Sequence, residues 1–216
     1  MDKLNKKDNF SVALGLTDYI NPIMYLVTSA TIILNINKIM NLPCNIFYII
    51  GVIVSLVFGF TIPTVKVLVG LGKIKFKLPV NFVFYVNSGI FLSGLMLVKN
   101  ILNINILLFI SIIVLSVLIL AFIYFKSKKF NNIAVLTGAI GYLLIYISLI
   151  AKAMSCKSII SIICYAIAIL LYLMLITIGI KANLKDARVH WVIEISNIIC
   201  QSSVAIGTLI LFIYYI

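Results

Sequence analysis

The chain has 216 residues, 64% hydrophobic and only 10% charged, with 17 basic against 5 acidic side chains and a net charge of +12. Soluble domains run near 45–50% apolar and about 25% charged, so a mean hydropathy of +1.26 excludes an ordinary soluble fold. Nucleic acid is excluded as the reason for the basic excess, because the lysines stand in short connections between apolar runs, where they set orientation in a membrane.

A hydrocarbon core of about 30 Å takes about 20 apolar residues to cross as a helix. Runs of that length predict seven transmembrane helices, near 18–36, 45–69, 79–98, 104–125, 131–151, 158–180 and 189–213. The expectation is one all-α integral membrane domain over residues 1–216. The first span opens on "TDYINP", with Asp18, Asn21 and Pro22 at its start, and is too long for the apolar core of a cleaved signal peptide, so it is expected to be retained. The second closes on "TIPTVK", where Pro63 frees a backbone carbonyl and Lys66 can reach inward or snorkel. The fourth, "ILLFISIIVLSVLILAFIYF", has no charge and no amide and only two serines, which suits a position facing lipid. The seventh carries Glu194, the one Glu of the chain, close behind its one Arg (Arg188), one His (His190) and one Trp (Trp191).

Counted on alternate sides, the connections place Lys3, Lys6, Lys7, Lys66, Lys73, Lys75, Lys77, Lys126, Lys128, Lys129, Lys181, Lys185 and Arg188 on one face, and Lys38, Lys99, Lys152 and Lys157 on the other. Thirteen against four puts the N-terminus in the cytoplasm and the C-terminus outside. The expected location is the cell membrane, multi-pass, of the bacterial cytoplasmic kind.

A shift of 109 residues lays "VNFVFYVNSGIFLSG" (80–94) over "VHWVIEISNIICQSS" (189–203), matching Val80 with Val189, Val83 with Val192, Ile90 with Ile199 and Ser93 with Ser202. The same shift brings "LVTSA" (26–30) to "VLTGA" (135–139) and Gly70 to Gly179. A common offset across three spans predicts a 3+1+3 parallel repeat, with units 10–98 and 130–213 and a linker helix at 104–125. Parallel repeats commonly hold a carrier's binding site at their interface near the midplane. The layout resembles in outline that of sugar carriers of the SWEET and PQ-loop type, which implies a solute site between two three-helix units; the Pro-Gln signature is missing here and the inferred orientation is opposite.

His190, Glu194, Asn197 and Gln201 are spaced i, i+4, i+7 and i+11, one stripe running roughly 16 Å along the seventh helix. An ionised group on lipid-facing helix surface deep in the core costs about 2.5–3.5 kcal/mol, so the stripe is expected to face protein or a wet cavity. Under the 109-residue shift Asn81, Tyr85 and Ser88 form a similar stripe on the third span, and Asp18, Asn21 and Lys66 lie at comparable depth. These groups are expected to converge on one polar, inward-open pocket centred on Glu194, which would exchange a proton or hold a cation. The plainer alternative makes Glu194 a structural ion pair with Lys66 or Arg188, Asn197 and Gln201 interhelical hydrogen-bond partners, and His190 an interfacial anchor beside Trp191.

One His and the scattered Cys44, Cys156, Cys164 and Cys200 give no zinc spacing. No Ser stands in a nucleophile elbow, "VGLGKIKFK" (69–77) lacks the Walker spacing and reads as a basic loop able to meet anionic lipid, and the seventh span has no Lys for a Schiff base. No enzymatic activity and no cofactor are expected. Two functions remain: a carrier or channel for a small solute, proton or cation, or a non-transporting membrane component such as a sensor, an accessory or immunity subunit, or a lipid-interacting protein. Polarity beyond Gln201 is thin for a through route, limited to Ser202, Ser203 and Thr208 with Ser148 and Ser161. Cys44 and Cys156 fall on the same, outer side, as two free thiols or, alternatively, an external disulfide.

Overall fold

The structure is a computed structural model that describes residues 12–73, 80–127, 130–181 and 187–216; the side chains of Arg188 and His190 lie outside what it describes. Among the described residues the ordered elements are helices: α1 (Val12–Asp18), α2 (Ile20–Leu34), α3 (Ile36–Ile39), α4 (Cys44–Gly70), α5 (Val80–Ile101), α6 (Ile106–Ser127), α7 (Phe130–Ser155), α8 (Ile159–Lys181) and α9 (Ala187–Tyr214). Six of them, α4 to α9, are long and apolar enough to cross a membrane. The chain is a multi-pass helical membrane protein.

The remaining predicted span, 18–36, is built in pieces. Pro22 has no N–H to offer the carbonyl of Asp18, and the rod breaks there: Tyr19 N donates to the Leu16 carbonyl at 3.3 Å, and Ile23 N resumes the helix by donating to the Tyr19 carbonyl at 3.2 Å. Alone, α2 has 15 residues, about 22 Å at 1.5 Å per residue, short of the hydrocarbon thickness.

The packing is a ring. In order around it stand α2, α4, α5, α7, α8 and α9, which returns to α2; α1 extends the α2 position and packs on α4. Close backbone approach holds the crossings. A Cβ on Gly51 of α4 would lie 2.7 Å from the carbonyl of Gly89 on α5, and one on Gly94 of α5 would lie 2.6 Å from that of Gly141 on α7, which is the close contact that small residues permit between membrane helices. Ser55 adds a hydrogen bond across α4 and α5, donating to the Val86 carbonyl at 3.1 Å, and Asn87 Nδ2 donates to the Ala134 carbonyl of α7 at 2.7 Å. Outside the ring α6 packs chiefly on α7, leaving Leu107, Val117, Leu118, Phe122 and Phe125 exposed along its length, as its uniformly apolar composition predicts.

The two ends of the ring differ. Where α4 begins, Ile32, Tyr48, Leu97, Leu149 and Leu211 are fully buried and close the bundle, with Tyr165 bonded to Thr208 at 3.2 Å. All four cysteines are free thiols. Where α4 ends, near Lys66, the helices part around a cavity.

Candidate functional site

The cavity has a volume of about 330 Å³, and every helix of the ring contributes to it. Asp18, Asn21, Pro22 and Tyr25 come from the α1–α2 break; Ser55, Gly59, Ile62 and Pro63 from α4; Val86, Asn87 and Ile90 from α5. The other side is formed by Val135 and Tyr142 of α7, Tyr172, Leu175 and Ile176 of α8, and Ile193 and Asn197 of α9.

The break in the first span turns Asp18 and Asn21 toward the ring, and the last turns of α4 bring Lys66 to them. Lys66 Nζ lies 2.5 Å from Asp18 Oδ2 and 3.7 Å from Glu194 Oε1. Asn21 Nδ2 bridges both acids, 3.1 Å from Glu194 Oε2 and 3.4 Å from Asp18 Oδ1. Two carboxylates, one ammonium and one amide thus form a single network joining α1, α2, α4 and α9. Only 9% of Glu194 is exposed, so its carboxylate is turned inward, as its cost in lipid requires. It stands behind Asn21, however, and the carboxylate on the cavity surface is that of Asp18.

A second feature lies across the cavity. The rings of Tyr142 and Tyr172 have centroids 5.1 Å apart, and Tyr146 packs against both, at 5.8 and 6.0 Å. Tyr25 completes the aromatic surface, its hydroxyl paired with Ser93 Oγ at 3.1 Å. Among the described residues, three buried amide atoms have no hydrogen-bond partner: Asn21 Oδ1, on a residue that lines the cavity; Gln201 Nε2, deeper along α9; and Asn45 Oδ1, away from the cavity at the start of α4.

Of the residues singled out from the sequence, Asp18, Asn21, Lys66 and Glu194 come together, Asn197 lines the cavity, and Gln201 is buried at 2% exposure beyond the lining residues. The side chain of His190 lies outside the described residues. Asn81 and Tyr85 require a correction. Both are exposed, Tyr85 at 42% with its ring 4.8 Å from that of Phe58, while α5 turns Val86, Asn87 and Ile90 inward. The two sets lie about half a turn apart on the helix, because residues 81, 85 and 88 share one face and 86, 87 and 90 the other.

Sequence reasoning passed over Tyr25, Asn87, Tyr142 and Tyr172. Tyrosine carries no penalty in an apolar run large enough to mark it, and Asn87 lies one position before Ser88, the end of the stripe that begins at Asn81. The usable signal was Asn87, an amide well inside a span that must find a partner there. No known protein family, curated protein or solved structure matches the chain.

Proposed function

We propose that the chain is a carrier for a small solute, with the cavity between the six ring helices as its binding site. The observation that carries this reading is the cavity itself: about 330 Å³ walled by all six helices and bordered by a charged network, a place where a solute can exchange its hydration shell for protein groups. In this reading the α1–α2 rod is a seventh crossing, the Lys66 end faces the cytoplasm by the distribution of lysines, and the closed packing at the opposite end makes the conformation inward-facing.

A duplication fits the ring when each helix is given its own register. Laying Tyr25 on Tyr142 carries the buried Thr28, Ser29, Thr31 and Ile32 onto the buried Ile145, Tyr146, Ser148 and Leu149. Tyr48 laid on Ser161 carries Val52 onto Tyr165 and Ser55 onto Ala168, all buried. Ile90 laid on Gln201 carries Ser93 onto Val204 and Leu97 onto Thr208, again all buried. The shift shrinks from 117 to 113 to 111 residues through these three pairs because the second unit has shorter connections: nine residues separate α2 from α4, and three separate α7 from α8. A uniform shift of 109 instead lays buried Ile90 on Ile199, which is 48% exposed. The ring order α2, α4, α5, α7, α8, α9 maps onto itself when the two triplets exchange, so the cavity falls on the axis relating them.

The test is flux. Proteoliposomes loaded with a pH-sensitive dye and challenged in turn with small sugars, amino acids and amines should show uptake of one class, and Glu194→Gln should reduce it at least tenfold while the detergent-purified protein keeps its elution profile. Full activity of a well-folded Glu194→Gln protein would remove the charged network from the mechanism. The tight packing at the Cys44 end favours a second reading, a component that binds at the cavity without moving its ligand; binding with no flux across the whole panel would select it.

A further inference from the structure

The two sides of the cavity are unlike in chemistry, and the difference points to a ligand. On the first side the acceptors outnumber the donors. Asp18 and Glu194 share the single ammonium of Lys66, the Asn21 amide N–H group is already directed to both acids, and Asn21 Oδ1 is a buried acceptor with no partner. With both acids ionised, the described residues of the network carry one negative charge in excess. A ligand that completes it must bring a positive charge and N–H donors, since a buried acceptor left unmet costs about 1–3 kcal/mol. An anion meets the opposite situation, because Lys66, the one cation among the described residues of the network, is committed to two carboxylates.

The second side supplies no charge from its described cavity residues. In the register that lays Tyr25 on Tyr142, the positions answering to Asp18 and Asn21 are Val135 and Gly138. Leu175 and Ile176 continue the apolar surface, and Tyr142 and Tyr172 present aromatic rings, with Tyr25 beside them on the lining. Ring faces attract cations as well as apolar groups. The cavity is therefore polar and anionic on one side and aromatic on the other, with room for a small molecule between them.

We propose that this cavity takes a protonated primary amine bearing an apolar or aromatic body, its ammonium group directed to Asp18 and Asn21 Oδ1 and its body against Tyr142 and Tyr172. The inference rests on the reading of the cavity as a binding site and adds the class of solute.

The probe is phenethylammonium, titrated calorimetrically into the full-length protein in nanodiscs. Three comparators of similar size accompany it: 2-phenylethanol, 3-phenylpropionate and trimethyl(phenethyl)ammonium. Saturable binding of the primary amine is expected, at least tenfold tighter than the alcohol and the acid, with the quaternary amine weaker than the primary because it has no N–H for Asn21. Asp18→Asn should weaken the amine about tenfold or more. Tyr172→Leu, distant from the ion network and therefore informative even if Asp18→Asn does not fold, should weaken it about fivefold. Equal or tighter binding of the acid or the alcohol, or an unchanged affinity in Tyr172→Leu, overturns the assignment. The flux assay separates this outcome from that of the carrier reading. An amine that is bound with these preferences and never transported upholds the ligand class and removes the carrier; transport of a sugar with no amine binding removes the ligand class and leaves the carrier.

Discussion

On one side of the cavity α1, α2, α4 and α9 bring Asp18, Asn21, Lys66 and Glu194 within hydrogen-bonding reach; on the other, α7 and α8 bring Tyr142, Tyr146 and Tyr172 ring to ring. The first side coheres through charge. Each of its ions would be costly where it stands without the others, so the four residues form a unit in which no member is optional. The second coheres through shape and dispersion, with rings at ordinary packing distances and no dependence on a particular charge. One ring of helices has thus been lined by two different strategies, one intolerant of single changes and one tolerant of them.

That contrast can be broken most directly at Lys66. Lys66→Met leaves Asp18 and Glu194 facing each other across Asn21 with no cation between them, and should cost about 3–5 kcal/mol of stability, read as a large fall in the thermal midpoint in detergent; a shift within error would show that the network is ornamental. The tyrosine side should respond much less. Tyr146→Phe keeps all three rings and removes only a hydroxyl whose partner is the Cys200 thiol at 3.5 Å, so about 1 kcal/mol or less is expected; a loss as large as that of Lys66→Met would erase the distinction between the two sides. The smallest effect belongs outside both. Leu118 of α6 is 60% exposed, and because lipid tails are as apolar as leucine, Leu118→Ala should change stability by under about 0.5 kcal/mol.

How much of this could be read beforehand follows from the same contrast. Glu194 announced itself, since one acid in an apolar helix must be turned inward, and its i+3 and i+7 neighbours Asn197 and Gln201 follow it to the cavity lining and the interior. Asp18 and Lys66 were legible for the same reason. The uniformly apolar α6 was legible as the lipid-facing helix. The tyrosine side was not, because a buried tyrosine and an interfacial tyrosine look alike in a sequence, and only the packing of α7 on α8 separates Tyr142 from Tyr85. Pro22 stands at the start of the predicted span 18–36, yet neither the break at Tyr19 nor the seven-residue helix α1 that precedes it was read from it. Register was the hardest part: the 109-residue offset set Tyr85 opposite Glu194, whereas α5 leaves Tyr85 exposed and turns Val86, Asn87 and Ile90 to the cavity.

In the proposed carrier reading, where the α1–α2 rod crosses the membrane and the two triplets are repeats, the exposed helix α6 would set their parity. Three crossings leave a chain on the face opposite to its start, so a second triplet fused directly to the first would be threaded upside down, and the pair could share only an axis lying in the plane of the bilayer. In that reading a single extra pass would let the second triplet begin on the same face as the first, and the shared axis would then stand upright. Since α6 leans chiefly on α7 and otherwise meets lipid, its exact side chains are of little account to the rest of the molecule: any greasy rod of equal length could serve as the inverter, and two half-genes expressed together should be able to do without it.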